Sequence, residues 1–484
     1  MSSPDEPPDP QRWKALTVCL VGGAMVLLDV SIVNVALPSI RAGLSAPESD
    51  LQWVVSGYAL TFGLLLVPAG RLGDVRGRRT MFVTALALFT LASAACGAAP
   101  TSLLLVLARL VQGLAGGLLT PQISALIQQL FRGRERGIAF GIFGTMVGLA
   151  TAVGPVLGGL LIALFGDDEG WRAVFFVNLP IGAVAIPLAL RLIPRADQEE
   201  RGKRHDYDPV GVVLLGAGVA AFLLPFVQQQ QWHGHAKWLL VVLAAVLLVV
   251  FLRWESRYSK RGREPVVDLG LYRHRSFACG SSMITLYFAG FTPLFFVITL
   301  YLQVGRHYSA LLAGAATVPF ALGSATSAAI GGRVVDRFGR RLVLVGLIAV
   351  ALGLAATILA VHEVPGRAVG WATAPALLLA GLGSGLVIAP NQALSLAEVP
   401  VQRAGTAGGL LQTGQRVGSA VGIAAAGSVF FAQLGPSGFV AAYERGILVA
   451  IGFVVLAIAT AVVELRLAGR AAAPDPRELQ EHPC

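Results

Sequence analysis

The chain predicts an all-α integral membrane protein in which two six-helix bundles are joined through two inserted helices, making 14 transmembrane helices. Three observations predict this. Of 484 residues, 55% are apolar and only 13% charged, against about 25% charged in soluble domains. A charged segment recurs 262 positions apart, between apolar runs each time. The basic residues also fall in the short breaks on alternate sides of those runs.

The apolar runs set the elements. Stretches of roughly 20 mostly apolar residues can cross a bilayer. They occur at 14–38, 51–70, 80–99, 102–129, 138–164, 173–193 and 209–227 (spans 1–7). The rest lie at 237–254, 277–301, 310–332, 341–361, 371–395, 404–432 and 446–466 (spans 8–14). The breaks hold Gly, Pro or charge, as connectors between helices do. The first run has a charged start and an apolar core like a leader peptide, but its length suits a full span, so cleavage is not expected.

The repeat sets the organisation. Gly70-Arg-Leu-Gly-Asp74-Val-Arg-Gly77-Arg78-Arg79 joins spans 2 and 3. Gly332-Arg-Val-Val-Asp336-Arg-Phe-Gly339-Arg340-Arg341 joins spans 10 and 11. Two six-helix units in tandem would separate the copies by six spans, yet eight separate them. Spans 7 and 8 are therefore an insertion between two basic loops. The expected organisation is a disordered cytoplasmic tail at 1–13, an N-terminal bundle at 14–193, a linker with two extra helices at 194–276, a C-terminal bundle at 277–466 and a cytoplasmic tail at 467–484.

Charge sets the orientation. With the N-terminus cytoplasmic, 29 of the 37 Lys and Arg lie on inside segments and six on outside loops. That places both termini in the cytoplasm. Trp13, Trp53, Trp171, Trp232, Trp238, Trp254 and Trp371 all lie at or near span ends, where an aromatic belt belongs. The net charge of +10 sits in these connectors and forms no basic stripe on a soluble module, so it fits a membrane surface and not nucleic acid.

Several classes are excluded. Cys19, Cys96, Cys279 and Cys484 show no ligand spacing or disulfide framework. His233 and His235 read as a solvated loop, so no metal is expected. No phosphate-binding Gly-x-x-x-x-Gly-Lys-Ser/Thr, His-Glu-x-x-His or Gly-x-Ser-x-Gly is present. An enzyme or an ATP-driven pump is not expected, and no cofactor.

Asp29 is the carboxylate placed well inside a span. Such residues are costly in a bilayer and usually face a cavity or a partner. It can take up and release a proton as access alternates, or serve as a structural partner for an arginine or a helix amide. Arg109 lies inside span 4 and cannot shed its proton, so it needs a partner or water. It is expected to favour the charged form of Asp29 in one of two states, or to be held structurally by carbonyls. Arg416 in span 13 faces the same cost. Together with Asn34, Gln112, Asn391 and Gln412 it is expected to offer polar contacts in a central cavity, although interhelical hydrogen bonds use the same amides. Gly154-Pro155, with Gly158 and Gly159, is expected to kink span 5 and let a neighbouring helix approach. Asp74 and Asp336, on turns with Arg78 and Arg340, read either as solvated topological signals or as latches on facing helix N-termini.

At these residues the chain resembles the major facilitator superfamily, whose signature loop is similar to the repeated segment. Its fourteen-span drug:proton antiporters, the EmrB/QacA type, are resembled at further points. These are Leu28-Asp29-Val-Ser-Ile-Val-Asn34-Val-Ala-Leu-Pro38, Leu51-Gln-Trp53, Arg109-Leu-Val-Gln112-Gly113, Gly154-Pro155-Val-Leu-Gly158-Gly159 and Trp171-Arg-x-x-Phe-Phe-x-Asn178-x-Pro180-Ile-Gly182. The resemblance covers nearly the whole chain. It implies alternating access and export of drugs, antibiotics or other small organic molecules from the cell, driven by the proton gradient. It also implies coupling at Asp29 and Arg109 and a gate formed by Gly70, Asp74, Gly77, Arg78 and their second copy. The alternative is a proton-coupled uptake symporter, against which Gly154-Pro155 and the span count argue. Some multidrug members carry further acids in later spans, associated with dications. Spans 9–14 here have none at depth, so neutral, monocationic, zwitterionic or anionic substrates are expected. Two complete halves make a monomer sufficient.

Overall fold

The computed structural model describes residues 10–166, 169–195, 208–227, 232, 234–263, 265–364 and 366–471. Most of the tails expected at 1–13 and 467–484, most of the linker 194–208, His233 and Cys484 lie outside them. Among the described residues, fourteen helices are long and apolar enough to cross a membrane. Spans 1–6 are Arg12–Leu44, Glu48–Arg76, Arg78–Gly97, Ser102–Leu130, Gly133–Phe165 and Gly170–Leu192. The inserted spans 7 and 8 are Pro209–Phe226 and Ala236–Lys260. Spans 9–14 are Arg275–Gly305, Leu312–Phe338, Arg340–Glu363, Gly366–Ser395, Val401–Gly435 and Gly438–Leu467.

Apolar side chains serve two surfaces. Phe82, Phe89, Phe140, Phe277, Tyr287 and Phe430 are buried where helices pack together. Leu91, Leu160, Val242 and Leu359 are exposed on outward faces. Exposed leucines and valines in such number suit hydrocarbon, which needs no polar cover.

The repeated segment is mostly helix. Span 2 runs on through Gly70 and Asp74 to Arg76, and the turn is confined to Gly77, whose φ of +95° ends it. In the second copy Gly339 does the same with φ of +52°. A residue without Cβ enters that region without strain. The expected charged turn is thus the last two turns of a span, which fixes its side chains on a rigid element. Span 5 is one uninterrupted helix, Gly133–Phe165, with Pro155 inside it. Span 6 consists of helices Gly170–Phe176 and Asn178–Leu192 on either side of Val177, whose own backbone angles are helical.

The inserted pair bridges the bundles. Leu215, Val219, Leu223 and Phe251 pack with Val67 of span 2, and Leu410 of span 13 joins them. Asp208 starts span 7. Its carboxylate accepts from the Gly211 amide at 2.8 Å and from Trp254 Nε1 of span 8 at 2.8 Å. Pro209 follows at the first helical position, where its missing N–H costs nothing.

Candidate functional site

Asp29 sits in the middle of span 1 with 1% of its surface exposed. Its Oδ2 pairs with Arg109 Nη1 of span 4 at 2.5 Å. Its Oδ1 accepts from Gln112 Nε2 at 2.8 Å and from Asn178 Nδ2 at 3.3 Å. Arg109 has further partners: Nε donates to the Val54 carbonyl at 3.0 Å, and Nη1 to Gln112 Oε1 at 2.8 Å. Its guanidinium lies over the Tyr58 ring, 4.1 Å from the centroid. Asn178 is held by Ser93 Oγ at 3.0 Å, and Ser93 by the Phe175 carbonyl at 2.8 Å.

Arg109 and Gln112 are three apart on one helix, so both reach the same carboxylate. Asn178 reaches it from span 6. The result is a buried polar network across spans 1, 2, 3, 4 and 6. Breaking such a pair from one side strands a charge at a cost of about 3–5 kcal/mol. A proton on Asp29 removes the charge that holds Arg109. The arrangement can therefore exchange an ion pair for a proton, provided the helices shift to give Arg109 another partner.

Asp74 lies at the end of the molecule that carries the repeats. Its Oδ1 accepts from the Gly405 amide at 3.0 Å, and its Oδ2 from the Thr406 amide at 2.9 Å and hydroxyl at 3.1 Å. These amides open span 13, so a carboxylate from the first bundle caps a helix N-terminus of the second. Arg78 holds Asp74 Oδ1 at 3.2 Å and also reaches the Val401 carbonyl. Gly70 makes the approach possible: a Cβ there would lie 2.1 Å from the Gly405 carbonyl oxygen. Gln128 donates to the Leu396 carbonyl at 2.5 Å, and Gln392 to Ser124 Oγ at 2.8 Å, also between bundles. The structure is closed at this end.

The second copy is wired differently. Asp336 is exposed and makes no hydrogen bond or ion pair among the described residues. Arg340 turns into its own bundle, to Glu464 Oε1 of span 14 at 2.8 Å, Asn391 Oδ1 of span 12 and the Ser276 carbonyl. Of the two acids, Asp74 is the one that bonds to the facing bundle, and Asp336 has the exposure of a solvated charge.

Other expected positions also resolve. Gly154 and Gly158 face Ser31 and Ile32 of span 1, whereas a Cβ on Gly159 would meet nothing within 4 Å. Gln112 and Asn391, expected in a cavity, are fully buried and committed to Arg109 and Arg340. A buried guanidinium needs acceptors, and these amides supply them. Gln412 is buried toward Ser124, its Nε2 3.4 Å from the Ser124 hydroxyl. Asn34 is exposed and folds back onto the Val30 carbonyl. Arg416 is partly buried over the Phe62 ring, 4.4 Å from its centroid.

A sequence profile of the Major Facilitator Superfamily matches residues 19–423. The chain belongs to the Major Facilitator Superfamily. It is accordingly a multi-pass membrane transporter and not an enzyme. It is 38% identical over 434 residues to the probable actinorhodin transporter of Streptomyces coelicolor, covering 89% of this chain and 74% of that protein. It is 36% identical over 421 residues to the puromycin resistance protein pur8 of Streptomyces alboniger, covering 86% and 81%. It is 34% identical over 432 residues to the multidrug resistance protein Stp of Mycobacterium tuberculosis, covering 87% and 77%. Among solved structures, the human organic anion transporter MFSD10 matches with a TM-score of 0.67 at 17% identity, over 94% of this chain and all of that one. The proton:xylose symporter XylE matches with a TM-score of 0.65 at 15% identity, over 92% and 94%. These two likenesses establish the facilitator fold.

Sequence reasoning did not find Tyr58, Ser93 and the amides of Gly405 and Thr406. Asn178 stood in a recognised motif, but nothing in the spacing ties it to Asp29, 149 residues away. Glu255, placed in the loop after span 8, is buried within that span's last turns.

Proposed function

We propose that this facilitator exports drugs, antibiotics or other small organic molecules across the cell membrane in exchange for protons. Both termini and the repeat-bearing end face the cytoplasm on this reading, as the distribution of Lys and Arg favours. The observation that carries it is the Asp29–Arg109 pair, a buried carboxylate and guanidinium within hydrogen-bond distance in mid-membrane. Relatives named for antibiotic transport and resistance favour export over uptake symport.

Access alternates between two arrangements. With the Asp74 latch engaged, the cytoplasmic side is closed. A proton reaching Asp29 from outside neutralises it and frees Arg109. Loss of that pair loosens the seam of spans 1, 4 and 6, and the latch opens toward the cytoplasm. There Asp29 loses its proton, Arg109 re-pairs, and substrate is carried on the return. One chain holds both bundles, so a monomer suffices.

The test is efflux from cells producing the protein, using two dyes: neutral Nile red, and carboxyfluorescein loaded as its diacetate. The reading expects efflux of at least one dye that a protonophore abolishes. Efflux insensitive to the protonophore, or accumulation in place of efflux, overturns it.

A further inference from the structure

Four arginines lie in or at the ends of spans that pack the interior: Arg78, Arg109, Arg340 and Arg416. The first three each meet a carboxylate, on Asp74, Asp29 and Glu464. Arg416 makes no hydrogen bond or ion pair among the described residues; its guanidinium lies over the face of Phe62. A guanidinium keeps its charge and its five donors at any relevant pH. An aromatic face attracts the charge but accepts none of those N–H groups.

The surroundings point the same way. The Tyr58 hydroxyl, one turn before Phe62 on span 2, is buried without a hydrogen-bond partner. So is the Thr413 hydroxyl, three residues before Arg416 and hence on the same side of span 13. The buried carboxylate of the coupling network, Asp29, is already taken up by Arg109, Gln112 and Asn178. What remains is a cation, two hydroxyl donors and a pair of rings, Tyr58 and Phe62, stacked with centroids 6.0 Å apart. The set lies between the bundles, with span 2 from one and span 13 from the other.

We propose that Arg416, Thr413, Tyr58 and Phe62 form the head-group site for an aromatic oxyanion, a carboxylate or phenolate carried on a flat ring. The inference rests on the export reading and names its substrate class. The anionic oxygen takes the guanidinium and hydroxyl donors, and the ring lies against Phe62. The site adjoins the coupling pair, because Arg109 stacks on the other member of the ring pair, Tyr58. An anion leaving and a proton entering both move with an inside-negative membrane potential, so the gradient drives the exchange twice over.

The test uses the purified full-length protein in phosphatidylcholine nanodiscs and three matched probes: 2-naphthoate, 2-naphthamide and 2-naphthylmethylammonium, with binding measured by calorimetry. Wild type is expected to bind the carboxylate at least about tenfold more tightly than the amide, the worth of a charge-assisted hydrogen bond. In Arg416→Gln that ratio is expected to fall to within about twofold, and in Arg416→Lys to be largely kept. Equal binding of carboxylate and amide by wild type, tighter binding of the ammonium, no binding of the carboxylate, or a ratio that survives in Arg416→Gln overturns the proposal. Should Arg416→Gln not fold, the wild-type ratio and its size in Arg416→Lys decide. The two readings fail separately. Selective anion binding without protonophore-sensitive efflux of either dye overturns export alone. Efflux with equal binding of carboxylate and amide overturns this site alone.

Discussion

Arg340 Nε donates to Glu464 Oε1 at 2.8 Å, so the second copy of the repeat takes its carboxylate from span 14 and leaves its own Asp336 exposed. In the first copy Arg78 takes Asp74, four residues earlier on the chain. One sequence signature thus serves two ends. Asp74 of copy one bonds across the bundles, whereas Arg340 of copy two is held within its own bundle and Gly332 packs against Gly137 and Gly141 of span 5.

The two acids should therefore separate in experiment. Asp74→Asn removes a charge from a helix N-terminus and is expected to cost the cytoplasm-closed state about 1–2 kcal/mol, or roughly 5- to 30-fold in population. Asp336→Asn is expected to change it by less than about twofold. The measure is alkylation of a Ser124→Cys reporter, in a background without native cysteines, from the cytoplasmic side. Equal rates in the two variants would contradict the assignment.

The closed seam makes a second prediction about glycine. A Cβ on Gly70 meets the Gly405 backbone oxygen at 2.1 Å, and neither backbone can yield cheaply. Gly70→Ala is expected to weaken closure by about 1–3 kcal/mol and raise alkylation of the same reporter. Gly159→Ala meets nothing within 4 Å. It is expected to leave transport unchanged and to stabilise span 5 by up to about 1 kcal/mol, read as a higher unfolding temperature in detergent. The reverse order would remove the close approach at Gly70 from the account.

The fold was legible because hydrophobic length and basic charge report directly on a bilayer. Fourteen runs and a displaced repeat suffice to place two bundles and an insertion. Asp29 and Arg109 were legible as charges too costly to be idle. Their partner Asn178 was not, since the contact depends on how span 6 packs beside span 1, 149 residues away in the chain. Asn391 misled for a related reason. An amide in a span looks like a cavity contact until one knows that Arg340 bends inward to claim it. The difference between Asp74 and Asp336 also escaped, because Asp74's partners, the Gly405 and Thr406 amides, lie 331 and 332 residues away in the chain.

The coupling pair gives a third prediction. Arg109→Ala leaves Asp29 buried beside two amides and is expected to destabilise the protein by about 3–5 kcal/mol. The double variant Asp29→Asn with Arg109→Gln removes both charges and is expected to recover at least half of that loss, since the desolvation cost disappears with the pair. Thermal unfolding of the single and double variants measures the recovery. All of them are expected to lose proton-driven transport. Wild-type efflux with unchanged pH dependence in Arg109→Ala would remove Arg109 from the coupling step.

The most direct test is protonophore-sensitive efflux of carboxyfluorescein and Nile red from cells producing wild type or Asp29→Asn at equal levels in the membrane. The account predicts efflux by wild type that collapses with the protonophore, and none above background in Asp29→Asn in either condition. Efflux by Asp29→Asn that matches wild type and still collapses with the protonophore would contradict it, because proton coupling would then run through another group.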